Sequence, residues 1–365
     1  VINIKIAEEN INNYRFNKLN IYNSVDIRTY DELDKLINCF IGLHAARIGK
    51  PYLSLLSKGV TCHVNKLYEY INNSNKYVTI RCVRKTLHIT NIRNAEVLHH
   101  ATSRLRIPPK IKKFNAVKLE LFKDFAKNLF IVNTFINPND LEEKFMKKFN
   151  VDKIDAKLIN KFLWESGILY LKNLSKQFNK EKRVFGLFQK AFNFDLELSK
   201  QSEQEYINEL IKYYIYAFGP VSKKDIIWWT GISSGKINKA IESIKKSLTI
   251  IYGKNSNIQM LIFNEHLDSL VKIKKMVNEC KFLAYEDCAL KAYYETRKLY
   301  TGNYALYFNK IGEVYATILM NGECIGQWEI DKPNKKIKFT IHKQMCSKNM
   351  ERIQLEKERM ESLIF

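Results

Sequence analysis

Seven histidines and seven cysteines are the residues of this chain best suited to acid–base, nucleophilic or metal chemistry, and their spacing narrows what they can do. Cys39, Cys62, Cys82, Cys280, Cys288, Cys324 and Cys346 form no C-x-x-C pair and lie in apolar stretches, so they read as reduced, mostly buried thiols. No histidine pair has ligand spacing supported by a nearby cysteine or carboxylate, so neither a structural zinc nor any other metal or cofactor is expected. The run Gly231-Ile232-Ser233-Ser234-Gly235-Lys236 lacks the full spacing of a phosphate-cradling loop, which argues against nucleotide hydrolysis. His44 extends an apolar stripe of Leu33, Leu36, Ile37, Phe40 and Ile41 at spacings of three and four, where a histidine is ordinarily a core residue of a helix. As a neutral imidazole it can also hold a water and accept its proton. Its neighbour Arg47 stays protonated, which suits it to binding a phosphate rather than to acting as a base.

These side chains sit in a chain of 365 residues, longer than one hydrophobic core usually organises, with 46% hydrophobic and 27% charged residues. Gly 13 and Pro 6 are too few for a disordered or collagenous chain. The 60 Lys and Arg against 38 Asp and Glu leave a net charge of +22, a field that attracts polyanions and points to nucleic acid. A Lys- and Asn-rich composition can also scatter lysines over every face, so charge alone does not decide the partner. No apolar run approaches a membrane span and no secretory signal is visible, from which a cytoplasmic, nucleoid-associated protein is expected.

The elements that must position the candidate residues recur in one order. A helical pattern from Asp31 runs into 42–47, helices start near Pro51 and His63, and the β-rich run Tyr77–Val83 turns at Lys85-Thr86 into Leu87-His88-Ile89. Three helices and a two-stranded ribbon make a winged helix. A basic stretch from Arg104 to Lys123, with Arg106 and Lys110, then reads as a linker able to track a phosphate backbone. A second unit begins at Asp140 as N-cap, with a helix over 155–163 and strands over 168–171 and 183–188. The third has a helix over 206–216 stopped at Gly219-Pro220, a capping box from Ser222 to Asp225, and a helix after Ser233 with Ile237, Ala240, Ile241 and Ile244 inward. On its outer side Lys236 and Lys239 face phosphate or simply solvent. Of the adjacent Trp228 and Trp229, at least one belongs in the core. Beyond Lys291 the period becomes two, with a hairpin turning at Asn321-Gly322 and a charged C-terminal helix after Cys346. The expected architecture is α+β, divided at 1–114, 115–200, 201–275 and 276–365, with no low-complexity linker between units.

Four stretches, taken in order, resemble the AlkZ/YcaQ-like winged-helix family. Gly42-Leu43-His44-Ala45-Ala46 is similar to its G-L-Q-x-Q element and Arg84-Lys85-Thr86-Leu87-His88 to its R-g-T-L-H element. Tyr216–Pro220 through Asp225, Trp229 and Gly231 resembles its YG-P…D…W-sG signature, and Asn321-Gly322 through Gly326-Gln327-Trp328 its d-G-x-x-x-G-x-W hairpin. The resemblance implies three winged helices forming a concave scaffold for duplex DNA, plus a small, barrel-like antiparallel β domain. It also implies monofunctional N-glycosylase activity on alkylated or bulky purine adducts, without a cofactor. Arg47, Arg84, Lys85, His88, Arg104, Arg106, Lys110, Lys236 and Lys239 are then the expected DNA contacts of a monomer.

An N7- or N3-alkylated purine is already a cationic leaving group, so cleavage needs mainly a positioned water and stabilisation of the oxocarbenium-like sugar. The family supplies two polar side chains one residue apart; here those positions are His44 and Ala46. Two readings follow: a glycosylase using His44 with a polar group from elsewhere, or a non-catalytic DNA binder, whether regulator or lesion-binding scaffold.

Overall fold

The computed structural model describes residues 4–21, 30–274 and 279–365. Three times the chain runs helix, short strand or bridge, helix, helix, hairpin. In the first repeat these are Tyr30–Asn38, Leu43–His44, Lys50–Ser57, Val64–Asn73 and the strands Tyr77–Arg81 and Leu87–Asn91. The segment 42–47 does not continue the first helix: Leu43–His44 pairs antiparallel with Leu87–Asn91, which moves His44 from the expected helical face onto a sheet edge.

The second repeat starts earlier than Asp140. Helix Ala116–Val132, capped by the Asn115 side chain, is its first element, and Ile136 bridges to Phe185. Asn137 rather than Asp140 caps Pro138–Phe149, leaving Pro138 at the first helical position, where its missing N–H costs nothing. Helix Lys153–Glu165 and strands Leu169–Asn173 and Arg183–Leu187 complete it. The expected basic linker is ordered structure: Arg104 and Arg106 end helix Ile92–Arg106, and Lys110 lies in the tight turn Pro109–Lys113. In the third repeat helix Glu203–Phe218 carries a full capping box at Ser202, and Val221 bridges to Leu261. The Ser222–Asp225 capping box opens Lys223–Thr230, and Ser234–Ile244 and the strands Leu248–Gly253 and Gln259–Phe263 follow.

The first two hairpins join through Thr79 and Leu171 into one five-stranded sheet. The N-terminal strand Ile4–Ile6 pairs in parallel with Leu248–Gly253, so residues 4–21 pack on the third repeat. The expected boundary at 275–276 lies outside the described residues. The C-terminal hairpin is as anticipated, with Asn321 and Gly322 both at positive φ between Thr317–Met320 and Glu323–Asp331. Its four strands form an open antiparallel sheet with Lys336–Ile341 and Cys280–Leu283 at its edges, not a closed barrel; helix Ser347–Ile364 packs against both edge strands.

One large core unites the first and third repeats with the C-terminal unit, while the second repeat keeps a separate core around Phe122, Phe130, Leu141 and Phe145. A fully buried ion pair, Lys58 to Asp287 at 2.5 Å, pins the first repeat to the C-terminal unit, and Ser54 and Ser57 donate to the same carboxylate. Three cysteines, Cys82, Cys280 and Cys324, are buried; Cys39 and Cys346 are exposed, because each falls next to a helix end rather than on its inner face.

Candidate active site and nucleic-acid interface

His44 stands directly across the sheet from His88, with the rings edge to face at 5.3 Å. Ala45 donates its N–H to the Leu87 carbonyl at 2.8 Å, which fixes the chain one residue beyond His44. The strand ends at His44, and the chain bends away at Ala46, which decides what the motif can do. His44 turns toward the C-terminal unit with 11% of its side chain exposed, while Ala46 is exposed and has no polar group to offer. Nε2 of His44 is buried without a hydrogen-bond partner and lies 3.6 Å from Oε2 of Glu286. Burial, with His88, Lys291 and Arg84 around it, pushes the His44 imidazole down to about 2, so it is neutral.

Glu286 is 5% exposed and held on several sides. Val314 N–H donates to Oε1 at 2.6 Å, and the Lys291 ammonium lies 2.9 Å from Oε1 and 2.8 Å from Oε2. Lys291 also donates to the Gly312 carbonyl at 3.0 Å. Above this pair lies an aromatic platform. The Arg84 guanidinium sits 4.0 Å from the centroid of Trp228, with Arg297 at 5.1 Å and Lys291 at 5.4 Å from the same ring. Tyr294 stacks on Trp228 at 5.9 Å, and Arg297 also reaches Tyr304 and the face of Phe308. Burial holds Arg84 below the usual arginine range, and Lys291 below the usual lysine range. Arg84, Lys85 and Glu286 all adopt left-handed backbone, at φ of 51°, 60° and 60°. Such conformations cost about 1–3 kcal/mol each outside glycine and persist where surroundings over-determine them.

The expected DNA contacts divide. Arg84 joins the cleft beside His44, and Lys85, Lys110 and Lys239 are exposed. Arg47 is exposed but paired with Glu313 at 3.0 Å, and Arg104 and Lys236 both pair with Glu203. Two are core residues, which corrects their assignment. His88 is 5% exposed, between Cys82, the Thr86 carbonyl and Trp229, because it alternates inward on its strand. Arg106 is 5% exposed and spends its guanidinium on Glu165, Thr102 and His99. Neither can reach a phosphate. Of the paired tryptophans, Trp229 is in the core and Trp228 faces the cleft.

Glu286, Lys291 and Arg297 were not legible as site residues. They lie far along the chain from His44, in a stretch with no motif, and only the docking of the C-terminal unit brings them together. Among the described residues no group of three histidines, cysteines or carboxylates has a metal-binding arrangement. No helix among them is long and apolar enough to cross a membrane.

Comparison with known proteins gives three results. No curated protein matches the sequence. Among solved structures, Streptomyces sahachiroi DNA glycosylase AlkZ superposes with a TM-score of 0.73, covering 98% of each chain at 14% sequence identity, a likeness of fold. A family profile described as DNA glycosylase AlkZ-like matches residues 37–363, from the end of helix Tyr30–Asn38 into the last turn of helix Ser347–Ile364, and over that span this chain belongs to the DNA glycosylase AlkZ-like family.

Proposed function

We propose that this protein is a DNA-binding, monofunctional DNA N-glycosylase that releases alkylated or bulky purines from duplex DNA. Membership of the AlkZ-like family carries this reading. The three helix–strand–helix–helix–hairpin repeats are winged helices, and together they form a concave scaffold for the duplex. The four divisions of the chain act as one body, with residues 4–21 attached to the third repeat. Lys85, Lys110 and Lys239 contact the phosphate backbone from outside, and Arg84 does so from the cleft; Arg47, Arg104 and Lys236 reach phosphates only by leaving their carboxylate partners. A groove of about 820 Å³ opens beside Arg47, lined by Ile48, Lys50, Phe178, Tyr285 and Trp328 among others. Its volume suits the bulky substituent of a lesion, while the reacting C1′ belongs at His44, which does not line this groove.

His44 positions the attacking water and needs no charge to do so. The cationic purine leaves as a neutral base once the C1′–N bond breaks, so no general acid is required. The test is release of free base, measured by chromatography, from duplexes carrying N7- or N3-alkylated purines. Release supports the reading; intact binding of every such duplex without release contradicts it. Ala46 favours a second reading, a winged-helix DNA binder that shields or marks lesions without chemistry.

A further inference from the structure

We infer that Glu286 is the second polar group of this site: its carboxylate, delivered by the C-terminal unit, holds the attacking water together with His44 and replaces what Ala46 cannot provide. The inference deepens the glycosylase reading and rests on it.

The geometry is that of two groups addressing a third atom. His44 Nε2 and Glu286 Oε2 are 3.6 Å apart, too far for a direct hydrogen bond, and Nε2 has no other partner. Nε2 has no solvent-accessible surface as the two side chains stand, so a water enters only when they part on substrate binding; bound to both, it satisfies the buried nitrogen and lies against the carboxylate. The carboxylate is fixed for this role. Val314 N–H and Lys291 hold Oε1, Lys291 alone also reaches Oε2, and Oε2 is the oxygen turned to His44. The adjacent Asp287 is tied to Lys58, Ser54 and Ser57 of the first repeat, the repeat that carries His44. The left-handed backbone of Glu286 is thus kept by contacts on both sides of the unit boundary.

The chemistry follows. As the C1′–N bond breaks, its electron pair leaves with the purine, which becomes neutral, and positive charge grows on C1′ and the ring oxygen. Glu286 stabilises that charge and takes a proton from the water as its oxygen bonds to C1′. The products are the free base and an abasic sugar bearing a C1′ hydroxyl, and the proton on Glu286 returns to solvent. A purely structural ion pair with Lys291 would predict lost stability on substitution and nothing specific to a cationic sugar.

That difference is measurable without knowing the lesion. Two duplexes are compared, one carrying a cationic aza-sugar abasic analogue and one a neutral tetrahydrofuran analogue. The wild-type protein is expected to bind the aza-sugar duplex at least about tenfold more tightly, because it resembles the charged transition state. Glu286→Gln, nearly isosteric and still able to accept from Lys291, is expected to bring the ratio of the two affinities close to one. If that variant does not fold, Glu286→Gln with Lys291→Gln removes both charges together and is expected to show the same loss. No aza-sugar preference in the wild type, or a preference untouched by these substitutions, overturns the role of Glu286 and leaves DNA binding standing. Failure to bind either duplex overturns the glycosylase reading itself.

Discussion

A histidine with an alanine two residues on reads, in a linear sequence, as half of a catalytic pair. In the fold His44 ends a two-residue edge strand while Ala46 lies in the exposed bend that follows it, and a carboxylate beside His44 comes from the C-terminal unit. The motif could be found in the sequence because it is local. Its completion could not, because Glu286 and Lys291 meet His44 only through tertiary docking. Burial also sets the protonation of the cluster. The folded His44 is lowered to about 2 and His88 to about 4, chiefly by desolvation, against an unfolded value near 6.5. The unfolded chain therefore binds more protons below that value, and stability present above pH 6.5 is lost as pH falls toward 4. Urea unfolding is expected to show a decline of up to about 1.4 kcal/mol per histidine for each pH unit below 6.5. His88→Gln should flatten the slope; an unchanged slope would contradict the neutral burial of this residue.

At the scale of elements, the capping and turn residues made most of the third repeat and the C-terminal hairpin readable. Ser222 with Asp225, Gly219-Pro220 and Asn321-Gly322 each carry a local physical reason for the chain to start, stop or turn. The stretch from Arg104 to Lys123 was not readable in the same way, because its basic residues resemble a solvated linker. Arg106 is instead the hub of a buried network, 2.6 Å from Glu165 with further bonds to His99 and Thr102. Arg106→Ala leaves the Glu165 carboxylate buried and without its nearest partner, which is expected to cost about 3–5 kcal/mol in denaturant unfolding. Replacing both members by methionine is expected to cost far less. Equal effects of the single and double replacements would show that the pair is not what makes this position sensitive.

For the whole molecule, the charge of +22 is divided between exposed lysines and cations already committed to carboxylates. That division is invisible in composition and decides which residues carry nucleic-acid binding. A protein covering roughly six to ten phosphates loses about a thousandfold or more in duplex affinity between about 50 and 200 mM salt. Lys239→Glu on the outer face of helix Ser234–Ile244 is expected to weaken duplex binding at low salt and to make the salt dependence shallower. Fluorescence anisotropy titrations at several salt concentrations measure both, and salt-independent binding would point away from DNA altogether.

The central claim is that His44 lies at the centre of a base-excision site. Its most direct test is an excision assay on duplexes carrying a single N7-alkylguanine or N3-alkyladenine, with wild type and His44→Ala side by side and alkali used to reveal abasic sites. The account predicts strand breaks at the lesion with the wild type and their loss in His44→Ala, with duplex affinity retained. Equal excision by both proteins, or firm binding with no excision by either, would contradict it.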